Sequence, residues 1–225
     1  MDDEFVRDAE AKDVLVDALP FIQTEPISST DLQKKIREAL AMPTTIVFTS
    51  SSAVEAVAPE VGDKKIERKI FCIGHSTKQS VAKIFGERSI AAVADNANEL
   101  ARAILSASIT RAIFFCGDQR RDELPGQLKQ NNIEVTEIVV YKTILTPRKI
   151  EKKYDGILFF SPSAVKSFFQ INQLNDEVVL FAIGSTTAGE IKKISKNKIV
   201  VSDVPNRETL LNKVISYFEM NPIHH

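Results

Sequence analysis

The chain has no tryptophan, three histidines and two cysteines among its 225 residues. His75 is the one internal histidine, because His224 and His225 end the chain. A zinc site built from histidine and cysteine would therefore be short of ligands, and we expect no metal. Cys72 and Cys116 each follow an apolar run without a CxxC partner, which favours reduced packing residues at strand ends over a disulfide.

Other signals are missing as well. Neither GxGxxG nor GxxxxGKS/T occurs, so no nucleotide cofactor is predicted. The 29 basic and 30 acidic residues nearly cancel and form no long basic run, which argues against a nucleic-acid partner. No apolar run approaches the roughly 18 residues that span a bilayer, and the first ten residues are acidic, unlike a signal peptide. The composition thus predicts a cytoplasmic globular protein without a cofactor or a membrane partner.

The most informative feature that is present is an internal duplication. IVFTSSSAVEAV at 46–57 resembles ILFFSPSAVKSF at 157–168, and KIFCIGHST at 69–77 resembles VLFAIGSTT at 179–187. Both pairs keep an offset of about 110 residues, which chance does not readily produce. The sequence therefore consists of two copies of one unit.

A second alignment, at an offset of about 119, places residues 3–24 on residues 122–143 without a gap. The second copy carries an apolar run and a turn at 112–121 before this segment, whereas the first copy begins almost at the segment itself. The first copy therefore lacks about one strand. We expect either a shortened chain or one sheet with a strand fewer.

Each copy alternates apolar, β-branched or aromatic runs with helical patterns, and Ser, Thr or Gly lies between them. Runs buried on both faces are typical of parallel strands covered by helices. The sequence therefore predicts an α/β fold with two similar doubly wound parallel-sheet domains. The predicted strands are 16–24, 45–49, 69–73, 112–116, 135–143, 156–160, 178–183 and 198–202. The predicted helices are 3–11, 29–40, 52–57, 77–85, 96–106, 120–131, 163–170, 186–195 and 206–219.

Four turns carry hydroxyl side chains where a predicted strand gives way to a helix. Ligands of open parallel sheets collect beyond the carboxyl ends of the strands, where helix N termini offer N–H groups to anions. Each turn alone is better explained by helix capping, but four turns at symmetric positions favour a ligand with many carboxylates. The candidate binding residues in them are Thr49, Ser50, Ser52, Gly74, Ser76, Thr77, Ser161, Pro162, Ser163, Gly184, Ser185, Thr186 and Thr187.

A fifth turn and one tyrosine complete the candidates. The turn CGDQRRDELP adds Cys116, Gly117, Asp118 and Arg121, because an arginine there would meet a carboxylate bidentately. Its alternative interpretation is a solvated helix start. Tyr141 stands where the first copy has an isoleucine, so a phenol occupies a position at which the repeat accepts an apolar side chain. A tyrosine on a strand is more often a packing residue.

The succession FTSSSAVEA, IGHST, CGDQRRDELPGQLKQNNIEV, VVYKT, FFSPSAVKSF, AIGSTTA and NRETLL resembles the uroporphyrinogen-III synthase family over nearly the whole chain. The resemblance implies two similar α/β domains joined by a two-stranded linker. Domain one would be discontinuous, with residues 1–21 and 146–225, and domain two would be residues 22–145. The crossing segments would be 20–26 and 140–147.

The resemblance also implies an activity, the closure of hydroxymethylbilane to uroporphyrinogen III with inversion of ring D and loss of water. Such a hydro-lyase uses no metal or cofactor, and we expect it to be a monomer. Its substrate, a linear tetrapyrrole with eight carboxylates, would be held mainly by backbone N–H groups and hydroxyls of the turns. The family's catalytic tyrosine falls on Tyr141 and its paired threonines on Thr186 and Thr187.

Two features depart from the family pattern. Members usually open with a strand that ends in a basic residue, and this is the strand that the first copy lacks. A basic residue that some members carry in the FTS turn is Ser52 here. Fold alone does not fix function, so two other interpretations stay open: a two-domain receptor for a small anionic ligand, and a catalytically idle homologue.

Overall fold

The computed structural model describes residues 3–62, 68–205 and 207–221. The helices are α1 (Asp3–Glu10), α2 (Thr30–Ala41), α3 (Ser51–Val61), α4 (His75–Phe85), α5 (Ala97–Ser106), α6 (Glu123–Gln130), α7 (Pro162–Phe169), α8 (Ser185–Ile194) and α9 (Arg207–Met220). The strands are β1 (Ile22–Pro26), β2 (Thr45–Phe48), β3 (Ile70–Ile73), β4 (Ile90–Ala94), β5 (Arg111–Gly117), β6 (Glu134–Leu145), β7 (Gly156–Phe159), β8 (Val179–Ala182) and β9 (Ile199–Val201).

The chain divides into two compact units. Unit one contains the described residues up to Gln23 and from Ile144 onward, and unit two contains Thr24–Thr143. The division falls within β1 and β6, which are neighbours in one sheet. That the two units are independent domains, with the boundaries expected from the sequence, stays a prediction.

Unit two is built on a six-stranded sheet with the order β1-β6-β5-β2-β3-β4, in which β6, β5, β2, β3 and β4 are parallel. All four residues of β2 are buried, and successive side chains of a strand point to opposite faces. On one face Phe48 stacks on Phe115 with ring centroids 5.6 Å apart, in a core shared with α2, α3 and α4. On the other face Val47 and Phe114 pack with α5 and α6.

Unit one repeats this arrangement on a smaller sheet, with β7, β8 and β9 in parallel order. One face holds Phe159 and Phe168 with α7 and α8, and the other holds Phe181 with α9. The three strands stand about 110 residues after β2, β3 and β4. However, β2 has β5 as a second neighbour, whereas β7 is an edge strand among the described residues of unit one.

The structure confirms the predicted α/β fold with doubly wound parallel sheets, and each predicted helix has a counterpart. The strand predicted at 16–24 is confirmed only at residues 22–24, because residues 14–21 have no regular structure and β1 is Ile22–Pro26. Pro20 cannot donate to a ladder, and Leu15 is 86% exposed, so this apolar run does not enter a sheet.

The prediction also missed β4, which reads IAAVA and follows a single 3-10 turn at Glu87–Ser89. Its three alanines have weak strand propensity, and only alternate residues are well covered. In addition, α3 continues to Val61, beyond the predicted end at residue 57, with Pro59 inside it.

Candidate functional site

In both units the candidate residues lie at the carboxyl ends of parallel strands or in the first turn of the next helix. In unit two they follow β5, β2 and β3, which are adjacent, so their turns share one edge of the sheet. In unit one they follow the adjacent strands β7 and β8. The sequence thus places hydroxyl-bearing turns where parallel sheets usually bind ligands.

In two of these turns a serine side chain caps the helix that follows, in the same way. Ser50 caps α3, and its Oγ accepts from Ala53 N at 3.3 Å. Ser161 caps α7, and its Oγ accepts from Ala164 N at 3.1 Å. Pro162 then fills the first position of α7, where its missing N–H costs no helical hydrogen bond. Thr49, Ser52 and Ser163 beside these caps are partly exposed.

The other two turns are glycine caps without a side-chain hydrogen bond, Gly74 before α4 and Gly184 before α8. The N–H groups of these first turns therefore stay available to an anion. Ser76, Ser185 and Thr186 are exposed beside them.

The two remaining threonines of the glycine turns are buried. Thr77 is 2% exposed and Thr187 is 0% exposed. Thr187 Oγ1 has no hydrogen-bond partner among the described residues. The side chains of this repeat-related pair therefore lie in the interior, and the exposed hydroxyls of the turns belong to their neighbours.

Tyr141 lies on β6, is half-buried and packs against the core that contains α3. Ser50 Oγ donates to Tyr141 Oη at 3.1 Å, although the two residues are 91 positions apart. Beside them Thr24 Oγ1 and Ser52 Oγ form a second hydroxyl pair at 3.1 Å. Sequence reasoning missed Thr24, and the available signal was its alignment with Thr143, which lies two residues after Tyr141 on the second copy's strand.

Gly117 supports the ring of this tyrosine. It pairs with Tyr141 across the sheet, next to an irregularity in the β5–β6 register. A Cβ on Gly117 would lie 2.4 Å from Tyr141 Cζ and 2.7 Å from its Oη. Any larger residue would therefore displace the ring, so glycine is needed for the close approach.

Asp118 holds the backbone on both sides of the tyrosine. Its N–H donates to Tyr141 O at 3.1 Å. Its carboxylate Oδ1 accepts from Thr143 N at 2.9 Å. The turn after β5 therefore fixes the strand that carries the phenol.

The other two candidates of this turn are placed differently. Cys116 is 1% exposed, and its Sγ donates to Ile138 O at 3.7 Å. Burial raises the pKa of the Cys116 thiol to about 11. Its side chain therefore packs in the core. Arg121 is exposed, whereas its neighbour Arg120 forms ion pairs with Asp122 and Glu137.

The described ranges contain neither a membrane-spanning helix nor a group of metal-ligating side chains. No helix within residues 3–62, 68–205 and 207–221 is long and apolar enough to cross a membrane. Over the same residues, no three or more His, Cys, Asp or Glu side chains are grouped so that they could hold a metal ion.

The fold and these turns define an α/β protein with two doubly wound units and with hydroxyls and helix N–H groups at the ends of its parallel strands. Residues 3–212 match the family described as uroporphyrinogen-III synthase HemD. The chain therefore belongs to the uroporphyrinogen-III synthase family.

Individual relatives are distant but nearly full-length. A protein of Schizosaccharomyces pombe named uroporphyrinogen-III synthase is 23% identical, with 90% of this chain and 87% of its own length covered. A protein of Chlorobaculum parvum with the same name is 24% identical, with 84% of each chain covered.

Solved structures of the same name share the fold. The uroporphyrinogen-III synthetase of Helicobacter pylori has a TM-score of 0.62 at 15% identity, with 88% of this chain and 92% of that chain covered. A mutant uroporphyrinogen III synthase of Thermus thermophilus has a TM-score of 0.61 at 14% identity, with 98% and 95% covered. These likenesses support the architecture described above.

Proposed function

We propose that this protein closes hydroxymethylbilane to uroporphyrinogen III, with loss of water and inversion of ring D, and that Tyr141 donates a proton in that reaction. Its family places it among the enzymes of tetrapyrrole synthesis. The observation that carries the proposal is a half-buried phenol, hydrogen-bonded to Ser50 at the carboxyl edge of a parallel sheet. Within this family such a phenol is the best candidate for the catalytic group.

The first turns of α3, α4, α7 and α8 would bind the substrate's eight carboxylates. Backbone N–H groups at a helix N terminus attract anions through hydrogen bonds and the helix dipole. Carboxylate binding by backbone N–H groups needs few cationic side chains, which agrees with the near balance of 29 basic and 30 acidic residues. Among the hydroxyls, Ser76, Ser185 and Thr186 are exposed and available for further hydrogen bonds.

Tyr141 Oη–H would donate its proton to the terminal hydroxyl of the bilane. The methylene C–O bond then breaks, water leaves, and the cation is delocalised into the adjoining pyrrole. The substituted carbon of ring D attacks that methylene and forms the new C–C bond of a spiro intermediate. Its older C–C bond breaks, ring D recloses through its other α-carbon, and the proton lost from that carbon returns to the phenolate. A general acid of this kind contributes roughly 10² to 10⁴ in rate.

The remaining catalysis would come from shape. An activated bilane closes unaided to the non-inverted isomer, so the enzyme must hold the geometry that leads to inversion. The turns would do this by fixing the carboxylates around the reacting ends.

The test is incubation with enzymically generated hydroxymethylbilane, followed by oxidation and chromatography of the uroporphyrin isomers. We expect isomer III from the wild type. Tyr141→Phe keeps the ring but loses the hydroxyl, so the rate should fall by roughly 10² or more while product affinity changes little. Uroporphyrin I should then accumulate.

Tyr217→Phe is a matched control, because its hydroxyl accepts from Lys198 Nζ in unit one, at a site outside the proposed machinery. It should form isomer III at the wild-type rate. Failure of the wild type to form isomer III would refute the proposed function. Near-normal formation by Tyr141→Phe would remove Tyr141 from the mechanism and leave catalysis to the turns.

We also propose that the protein is a cytoplasmic monomer without a nucleic-acid partner. The balanced charge supports this, as do the free, buried thiols of Cys72 and Cys116. Light scattering should give the mass of one chain, and duplex DNA labelled for polarisation should not bind at physiological salt. A mass of two chains, or binding that weakens with salt, would contradict these expectations.

We propose in addition that residues 1–21 with 146–225 and residues 22–145 are two domains. The division of contacts within β1 and β6 supports this proposal. A chain of residues 22–145 alone should unfold cooperatively and give a dispersed amide spectrum. An unfolded product would show that this unit depends on the other.

A further inference from the structure

We infer that Ser50 is a positioning residue for Tyr141, because its hydroxyl donates into the phenol oxygen and leaves the phenol proton free to point at the substrate. This inference rests on the proposed function. The cap role of Ser50 is ordinary for a serine at a helix start, but its contact with a phenol 91 residues away is not.

The hydrogen bonds of Ser50 determine the direction of the phenol proton. A serine hydroxyl has one proton to donate and two lone pairs that accept. Ala53 N–H donates to Ser50 Oγ, and the Oγ proton is donated to Tyr141 Oη at 3.1 Å. Tyr141 Oη is therefore an acceptor in this contact. Its own proton is directed elsewhere, which is the arrangement a proton donor needs.

The chain of hydrogen bonds begins at the positive end of a helix. It runs from Ala53 N–H in the first turn of α3 to Ser50 Oγ and then to Tyr141 Oη. Successive hydrogen bonds in a partly buried chain polarise one another, so each donor strengthens the next. Ser50 thus extends the polarity of the helix N terminus to the phenol.

The ring itself has little freedom besides the direction of its O–H. Gly117 lies against it so closely that even a methyl group would collide, and Asp118 ties the backbone at Tyr141 O and Thr143 N. The torsion about the ring C–O bond is then the remaining variable. Ser50 fixes that torsion.

Unit one shows that a serine can cap this helix without contacting a phenol. Ser161 makes the same cap bond, to Ala164 N, and the first copy has Ile22 at the repeat position of Tyr141. A serine in this turn is therefore sufficient for a cap without any phenol. The donation to Tyr141 is an addition found at the turn of unit two.

The experiment compares Ser50→Gly with Ser50→Thr, and it uses Ser29→Gly as the matched control. Glycine is well tolerated at an N-cap, and it adds no charge that would repel the substrate. Threonine restores both the cap and the donor. Ser29 caps α2 through Leu32 N and has no place in the proposed site, so Ser29→Gly reproduces the loss of a cap alone.

We expect Ser50→Gly to lower kcat by about tenfold or more with little change in KM, because the lost contact orients a group that acts in the transition state. Ser50→Thr should lie within about threefold of the wild type. In protein labelled with ¹³C at tyrosine Cζ, the Tyr141 resonance, assigned from Tyr141→Phe, should shift in Ser50→Gly. It should stay in place in Ser29→Gly.

Three outcomes would overturn the inference. The first is an unchanged kcat and Tyr141 resonance in folded Ser50→Gly while Tyr141→Phe is impaired, which leaves the proposed function intact. The second is a raised KM with unchanged kcat, which would make Ser50 a binding residue only. The third is a fully active Tyr141→Phe, which removes the catalytic role of the phenol itself.

Discussion

The two units repeat the same strand and helix order but differ in what surrounds the repeated turns. In unit two, β2 lies between β5 and β3, and its turn meets a tyrosine from β6. In unit one, β7 has β8 beside it, and Ser161 in the turn after β7 makes the helix cap without a phenol partner among the described residues. The duplication therefore provides the serine cap twice, at Ser50 and Ser161, but the phenol once. The chemistry that we propose would take place in unit two, and binding is proposed for both units.

A second contrast lies in the glycine turns, whose sequences IGHST and IGSTT are nearly the same. Gly74 has φ 82° and ψ 159°, a conformation that other residues rarely adopt. Gly184 has φ −176° and ψ 176°, which is ordinary extended backbone. Similar sequences therefore impose different backbone requirements in the two copies.

The largest expected effect is that of Gly117→Ala, which tests the chemistry assigned to unit two. The new methyl group would collide with the ring of Tyr141, so the rate should fall by about 10² or more, as in Tyr141→Phe. The measurement is isomer III formation under the conditions used for the wild type. Gly126→Ala is the control, because nothing lies within 4 Å of its added Cβ in α6.

That control should be slightly stabilised, by about 0.5 to 1 kcal/mol, and should keep the wild-type rate. A Gly117→Ala protein with normal activity would mean that the ring does not have to rest against Gly117 for catalysis.

Alanine substitution of the two glycine caps should destabilise the protein to different extents in the two units. Gly74→Ala should lower the free energy of unfolding by about 1 to 3 kcal/mol, because alanine is strained at positive φ. Gly184→Ala should change it by less than about 0.5 kcal/mol, since its nearest neighbour would be Pro205 Cβ at 3.6 Å. Urea unfolding of both variants measures this difference. Equal losses would contradict the backbone distinction.

Alkaline pH should weaken unit two, because both cysteines belong to it. Burial raises the pKa of Cys72 and of Cys116 to about 11 from an ordinary value of 9.0. Between these values the unfolded chain loses thiol protons that the folded chain keeps. Stability therefore falls as pH rises from about 9 to about 11.

The measurement is the change in Tm across this pH range. It should be smaller in a variant that carries both Cys72→Ala and Cys116→Ala than in the wild type. An equal change would show that the thiols do not contribute to alkaline stability.

The smallest effect on activity is expected for Ser161→Ala in unit one. Loss of the α7 cap should cost about 1 kcal/mol of stability. The rate should stay within about tenfold, because the backbone N–H groups of that turn survive. A loss beyond about a hundredfold in folded protein would show that the serine side chain takes part directly, and the contrast between the units would then narrow.

Much of this architecture could be predicted because local patterns specify it. The caps at Ser50 and Ser161 and the buried runs of β2 and β8 are visible in short windows. β4 was missed because its sequence, IAAVA, is rich in alanine, which has weak strand propensity, although the repeat places it about 110 residues before β9. A stricter use of the duplication would have predicted it.

The sequence could predict which residues belong to the site but not the contacts between them. The sequence marked Ser50, Gly117 and Tyr141 as candidates separately, but the distance between their atoms depends on strand order and register. Three candidate side chains were buried instead: Cys116 lies in the core, and Thr77 and Thr187 are covered at the starts of α4 and α8. Tertiary packing decides which side of a strand or helix faces the ligand, and the local sequence does not record that choice.

The uncapped first turns of α4 and α8 also have a consequence for how such a protein can evolve. A main-chain N–H is present whatever side chain the residue carries, Pro excepted, so a site made of these groups survives most substitutions. A chain can therefore differ from its relatives at most positions, as this one does at 23% and 24% identity, and still offer these N–H groups to an anion. The residues that cannot drift are those that shape the backbone or carry a reacting proton, and in this chain we expect Gly74, Gly117 and Tyr141 to be the first of them.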